Sequence, residues 1–151
     1  MSLEAKINEE MKAAMKSGAK LRLDTLRSIR AAIIEFAKSG AGREMNSDDE
    51  IKLLNSIAKK RKDAIAMYEQ GGRTEAAQQE SDELAIIQEF LPKQLSDDEI
   101  TDIIKDIIDK VGASSEKDFG KVMGPSMKAL TGQADGGKVQ NIVKSLLGAA
   151  Q

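Results

Sequence analysis

An all-α fold is what the sequence predicts, and three observations carry that prediction. Apolar residues recur at spacings of three and four rather than two, runs of β-branched residues are short, and only two prolines interrupt the 151 residues. A chain of this length holds one ordinary domain or two small ones. The breaks in the pattern favour two: an N-terminal bundle of about four helices over residues 1–92 and a C-terminal three-helix domain over residues 96–151.

The first helix is expected over 3–16, with Leu3, Ile7, Met11, Ala14 and Met15 as its inner stripe and Gly18 ending it. A second runs over 20–38, with Leu23, Leu26, Ile29, Ile33, Phe36 and Ala37 inward and Gly40 closing it. After a polar connection, Ser47-Asp48-Asp49-Glu50 has the form of a capping box, in which a hydroxyl and a carboxylate satisfy each other's backbone donors. It opens a long third helix to Gln70, with Ile51, Leu54, Ala58, Ile65 and Tyr68 inward. Gly71-Gly72 breaks the chain. The fourth helix, from Thr74 to Phe90, presents Ala77, Leu84, Ile87 and Leu91 until Pro92 forbids its continuation. Short connections favour antiparallel packing of these four.

A second capping-box pattern, Ser96-Asp97-Asp98-Glu99, follows directly, so residues 92–96 form the boundary. In helix five, Ile100, Ile103, Ile104, Ile107, Ile108 and Val111 fall in an arc of about 140° opposite Asp102, Asp106 and Asp109. Gly112 ends it. Helix six carries Phe119, Val122, Met123, Met127 and Leu130, and Gly124-Pro125 is expected to kink or split it. Asp135 is placed to cap the last helix, whose inner face is Val139, Ile142, Val143, Leu146 and Leu147.

The absences narrow the function. Without Cys or His there is no Cys/His zinc site, no Ser-His-Asp or Cys-His nucleophile, no disulfide and no imidazole acid or base. One Tyr, three Phe and no Trp are too few for an aromatic base-stacking platform. The acidic groups Asp48–Glu50 and Asp97–Glu99 sit at helix starts, where capping and the helix dipole account for them better than a metal does. No catalytic residue, metal ligand or cofactor is therefore assigned. No run is long enough for a membrane span, and Glu4, Glu9 and Glu10 do not suit a signal peptide, so a cytoplasmic protein is the expectation.

The basic residues fall into several groups. Lys59-Lys60-Arg61-Lys62 points around most of a helix circumference and is expected to be solvated, with one aliphatic stem lying along the core. Arg27 and Arg30 border the apolar stripe of helix two and are expected to pair with a neighbouring helix. Gly71-Gly72-Arg73 is expected to be a turn. A net charge of −2 leaves no global basic field, so any nucleic-acid contact must be a local patch. Residues 117–151 carry five lysines against Asp118 and Asp135, a balance of +3, whereas residues 96–110 carry six acids against two lysines, a balance of −4. Lys121, Lys128, Lys138 and Lys144 are thus the candidate phosphate contacts. Gly124 and Gly136 are the positions that would let a partner's backbone come close.

The string Gly120-Lys-Val-Met-Gly124, with Met127-Lys-Ala-Leu130, Gly132-Gln-Ala-Asp-Gly136 and Lys138-Val-Gln-Asn-Ile-Val-Lys-Ser-Leu-Leu147, resembles the GatB/YqeY tail domain. That domain is the small helical C-terminus of the GatB polypeptide of the glutamyl/aspartyl-tRNA amidotransferase. Upstream, Leu26-Arg-Ser-Ile-Arg-Ala-Ala-Ile33, Arg61-Lys-Asp-Ala-Ile65, Gly71-Gly-Arg73 and Phe90-Leu-Pro-Lys-Gln-Leu95 resemble the stand-alone YqeY-like proteins. The resemblance implies a two-domain all-α protein whose tail-like domain is similar to one that contacts tRNA within the amidotransferase. Two positions depart from the family pattern: Gln133 stands where a basic residue is common, and Pro125 where the family usually has an aliphatic one.

Transamidation needs a glutaminase centre and an ATP and Mg²⁺ site, and the chain carries neither a Walker-type loop nor a Ser/Lys amidase signature. The expectation is therefore a non-catalytic tRNA-binding or amidotransferase-associated accessory protein. Its expected partners are tRNA and amidotransferase or other protein subunits, with no membrane among them. The alternatives are a helical protein-interaction adaptor that binds no RNA, and a component of a carbon-nitrogen ligase with glutamine as amido donor that acts only with other subunits.

Overall fold

The computed structural model describes residues 1–40 and 42–149. Residue 41, in the connection after the second helix, and residues 150–151, at the end of the second predicted domain, lie outside the described residues. The described residues form seven α-helices in order: α1 Leu3–Ser17, α2 Lys20–Lys38, α3 Ser47–Gln70, α4 Thr74–Gln88, α5 Asp97–Val111, α6 Phe119–Ala129 and α7 Gly136–Ala149. A 3-10 turn, Glu116–Asp118, leads into α6. The described residues contain no strand. The chain divides into two compact units, Met1–Leu91 and Pro92–Gln151.

In the first unit, α1 starts on Ser2, whose hydroxyl accepts from the Ala5 N–H, and ends on Gly18 in the left-handed conformation at φ 71°. It packs along α2, α3 packs along α4, and α2 joins the two hairpins. Leu3, Ile7, Met11 and Ala14 meet Leu26, Ile29, Ile33, Leu54, Ile57, Ala58 and Ile87 in one core. Met15, expected inward, is 53% exposed. Counted from the centre of the stripe, it lies about 85° around the helix, beyond the buried arc. Ala37 is exposed for a similar reason, one position past half-buried Phe36.

The capping box of α3 forms one residue earlier than expected. Asn46 is the cap: its side-chain oxygen accepts from the Asp49 N–H at 2.9 Å, and the Asp49 carboxylate accepts from the Asn46 N–H at 3.0 Å. Ser47 becomes the first helical residue, and Glu50 is released for a different task. It accepts from the Leu3 N–H at 2.8 Å, one of the backbone donors that the start of α1 leaves without an intrahelical partner. The fourth helix also ends early, at Gln88. Glu89, Phe90 and Leu91 instead donate to carbonyls three residues back, a tightening that suits the restriction Pro92 places on Leu91.

In the second unit, the Ser96/Glu99 capping box is complete, and Gly112 ends α5 at φ 70°. Ile100 and Ile104 of α5, Val122 of α6, Leu130, and Val139, Val143 and Leu147 of α7 form its core, with Ile103, Ile107 and Ile108 packed at the edge. Val111, placed by the periodicity in the apolar arc, is 40% exposed at the last turn. Of the kink or split expected at Gly124-Pro125, the split does not occur: the sixth helix runs unbroken from Phe119 to Ala129. The backbone bond that proline forfeits is the one to Lys121, and both residues lie on the exposed side, while Val122 and Ser126 are buried beside them. Burial of one face holds the helix where a hydrogen bond on the other is missing. The chain entering this unit is pinned to the α6–α7 connection by two bonds: Leu95 N–H to Gln133 carbonyl at 2.9 Å and Gln94 side chain to Gly132 carbonyl at 2.6 Å. Among the described residues, no helix is long and apolar enough to cross a membrane.

Candidate nucleic-acid interface

The four lysines singled out from the sequence stand on two helices of the second unit: Lys121 and Lys128 on α6, Lys138 and Lys144 on α7. All four are exposed. At about 100° per residue, Lys121 and Lys128 lie only about 20° apart on α6, roughly opposite the buried face of Val122, Ser126 and Leu130. Their seven-residue separation corresponds to about 10 Å along the helix. Gly120 and Gly124 lie beside them, and a Cβ added at either glycine would meet no atom within 4 Å. The result is an exposed ridge with two ammonium groups and, on the same face between them, only Gly124 and the ring of exposed Pro125.

Gly136 serves a different purpose. A Cβ there would sit 3.3 Å from the Cε of Met127, so this glycine gives room to an α6 methionine that the sequence placed inward and that is 42% exposed. The α7 lysines point to different surroundings. Lys138, in the first turn, reaches Asp97 at the start of α5, with Nζ 2.9 Å from Oδ1. Its own backbone N–H donates to the Asp135 carboxylate at 3.1 Å, and that bond realises the expected cap of α7. Lys138, Asp97, Asp135, Asn141 and Ser145 line an open cleft of about 530 Å³ over Ile142. Lys144 instead lies 5.9 Å from the centre of the Phe119 ring and borders a smaller recess with Glu116 and Leu147.

Electrostatics differ among the four. Lys121 is 3.5 Å from Asp118, a carboxylate already held by the Ser114 N–H at 2.9 Å. That backbone bond, with the Lys121 charge behind it, lowers the Asp118 pKa. Lys128 makes no ion pair among the described residues. The ammonium groups are thus spread over three settings: an open ridge, an ion pair at a cleft and the face of an aromatic ring.

In the first unit, two arginines, Arg22 and Arg61, stand between helices. Arg27 and Arg30 do not make the expected interhelical pairs. Arg27 reaches only Asp24, in its own helix, at 3.4 Å, and Arg30 is exposed. Arg22 does so instead, contacting Glu10 of α1 and Glu89 just beyond α4, each at 2.7 Å. The helical wheel contains the signal: Arg22 falls about 40° from Leu26, inside the buried arc, whereas Arg27 lies about 100° away on the outside. In the basic run, Arg61 is the member turned inward. Its Nε lies 3.1 Å from Glu83 and 3.4 Å from Glu80, both of α4. Burial pushes the Glu83 carboxyl up, against the pull of the Arg61 charge, and the neighbouring Glu80 adds to the rise. Arg73 packs over Tyr68, 5.2 Å from the ring centre, beside the expected Gly71-Gly72 turn.

Among the described residues, no group of three or more acidic side chains is arranged to hold a metal ion. The family model that matches the chain is that of the Yqey-like protein, over residues 4–147. No curated protein matches it.

Proposed function

The chain belongs to the YqeY-like family, which is related to the GatB C-terminal tail, and from that membership we propose a non-catalytic, cytoplasmic RNA-binding role accessory to amidotransferase chemistry. The ligand proposed is tRNA, and the second unit is the part that takes it. One observation carries the reading: Lys121 and Lys128 share an exposed face of α6 with bare Gly120 and Gly124 beside them. Such a ridge suits a phosphate backbone. Lysine is a mobile point charge that meets phosphate without reading bases, so recognition would follow shape and charge rather than sequence. Lys138 and Lys144 add two further cations on α7, one at the Asp97 cleft and one beside Phe119, apart from the ridge.

The existing ion pairs are compatible with this role. Lys121 and Lys138 are 72% and 49% exposed, and pairs so open to water contribute at most about 1 kcal/mol, which a polyanion can replace. A filter-binding titration with bulk tRNA at several salt concentrations tests the proposal. Neutralising four duplex phosphates gives a log–log salt slope of about −3.6, at about 0.9 per phosphate. The double variant Lys121→Glu/Lys128→Glu is expected to lose most of the affinity with its helical circular dichroism intact. Absence of tRNA retention at low salt, or unchanged binding by a folded double variant, would overturn the role.

A further inference from the structure

Lys138 differs from the ridge lysines in that the carboxylate on its ammonium group comes from a distant helix and lies at 2.9 Å. Asp97 is the first residue of α5, one position after the Ser96 cap. Its Oδ1 lies 2.9 Å from Lys138 Nζ, so the bridge ties the first turn of α5 to the first turn of α7. The same two residues stand at the rim of the open cleft whose other polar lining is Asp135, Asn141 and Ser145. Asp97 is 70% exposed and its helix start is already satisfied by the Ser96/Glu99 box, so its side chain can swing away without leaving a backbone donor unpaired.

We infer that Asp97 is an intramolecular competitor for phosphate at Lys138, an internal mask that RNA must displace before the α5–α7 cleft is engaged. This inference rests on the RNA-binding role proposed above and specifies how one of its contacts is regulated. A phosphate approaching Lys138 offers the ammonium group the same charge-assisted bond that Asp97 already makes. The three donors of the amine do not themselves forbid a second anion, but Asp97, the phosphate and nearby Asp135 repel one another, so close approach of a phosphate is favoured when Asp97 swings away. Binding at this lysine is therefore an exchange. Its gain is reduced by whatever the internal pair was worth. Asp118 does not act in the same way toward Lys121: the Ser114 N–H holds that carboxylate in place, and its 3.5 Å separation leaves the ammonium group mostly in solvent.

The exchange has a consequence that a general charge effect does not. Asp97→Asn removes one negative charge and frees Lys138, whereas Asp98→Asn removes the same charge from the same helical turn without touching the Lys138 pair. At low salt, Asp97→Asn is expected to bind bulk tRNA about two- to fivefold more tightly than wild type, the factor that corresponds to an exposed pair. Asp98→Asn is expected to gain clearly less. In a Lys138→Ala background, the advantage of Asp97→Asn over Asp98→Asn is expected to vanish, and circular dichroism checks that each variant retains its helices. If wild type binds tRNA and the two asparagine variants gain equally, or if the Asp97→Asn gain survives without Lys138, the mask is refuted while the RNA-binding role stands. If neither wild type nor Asp97→Asn retains tRNA, both are refuted together.

Discussion

The two units handle positive charge in opposite ways. All six arginines of the chain lie in the first unit, and the cations of the second are all lysines. In the first, Arg22 joins Glu10 to Glu89, and Arg61 faces Glu80 and Glu83, with the Arg61 site largely shielded from water. In the second, Lys121, Lys128 and Lys138 stand at the surface, paired only through contacts open to solvent or not paired among the described residues. A planar guanidinium presents several donors in a fixed fork and can hold two carboxylates at once, so it suits a joint between helices. An ammonium on a flexible stem loses little by changing partners. Charge thus builds the first unit and remains available on the second.

The contrast in charge holds only if the two cores are alike in kind. Ile87 and Ile104 are both fully buried, one in each unit. Replacing either with Ala is expected to cost about 2–5 kcal/mol, read from urea unfolding followed by circular dichroism. Comparable losses would leave charge, not packing, as the difference between the units. A negligible loss at one site would mean that its unit lacks the well-packed core described here.

The next effect separates arginine from lysine directly. Arg61→Met leaves Glu80 and Glu83 facing each other without a cation and is expected to cost about 1–3 kcal/mol at neutral pH, less in acid as the carboxyls take up protons. Lys138→Met is expected to cost less than about 1 kcal/mol, because its pair is exposed. Equal costs would break the contrast. Arg61→Lys is expected to restore only part of the loss, since one ammonium group cannot both take the place of Nε between the two glutamates and donate to the Ser28 hydroxyl as the Arg61 side chain does.

The smallest effects are pH dependences, and within the first unit they have opposite signs. Arg43 and the Asn46 backbone N–H hold Asp49 down to about 2. Its contribution to stability is therefore present above the ordinary value of 3.8 and is lost as pH falls through about 2. Glu83 is raised above 4.5, chiefly by burial, so its contribution is present below 4.5 and is lost as pH rises through the raised value. Urea midpoints measured across acid pH are expected to show Asp49→Asn removing the lower limb of the dependence and Glu83→Gln the upper one. If Glu83→Gln leaves the profile unchanged, the shielded character of the Arg61 site is wrong.

Much of the fold is legible without coordinates, and the departures share a cause. The Ser96 box, the Gly18 and Gly112 stops and the Asp135 cap depend on groups within a few residues, and each forms as the spacing predicts. The third helix starts one residue away from its expected position because Asn46 and Ser47 are both good caps, and spacing to Asp49 or Glu50 satisfies either. A distant group makes the choice: the Leu3 N–H takes Glu50 out of competition. At Pro125 the local penalty is real, yet burial of the adjacent Val122 and Ser126 outweighs it. The candidate lysines are legible as a local excess of charge, but their division into a ridge, a masked site and a ring contact is not.

By itself, then, the sequence determined the helical class, the places where helices begin and end, and most of the faces they bury, because helical period and capping act across three or four residues. Only the tertiary structure decided which charges meet. Arg22 and Glu89 are 67 residues apart, and Lys138 meets a carboxylate from the opposite end of its unit's chain. Such pairs have no local spacing to announce them: they exist only where packing of apolar faces has brought two helices together, and side chains then take the nearest opposite charge.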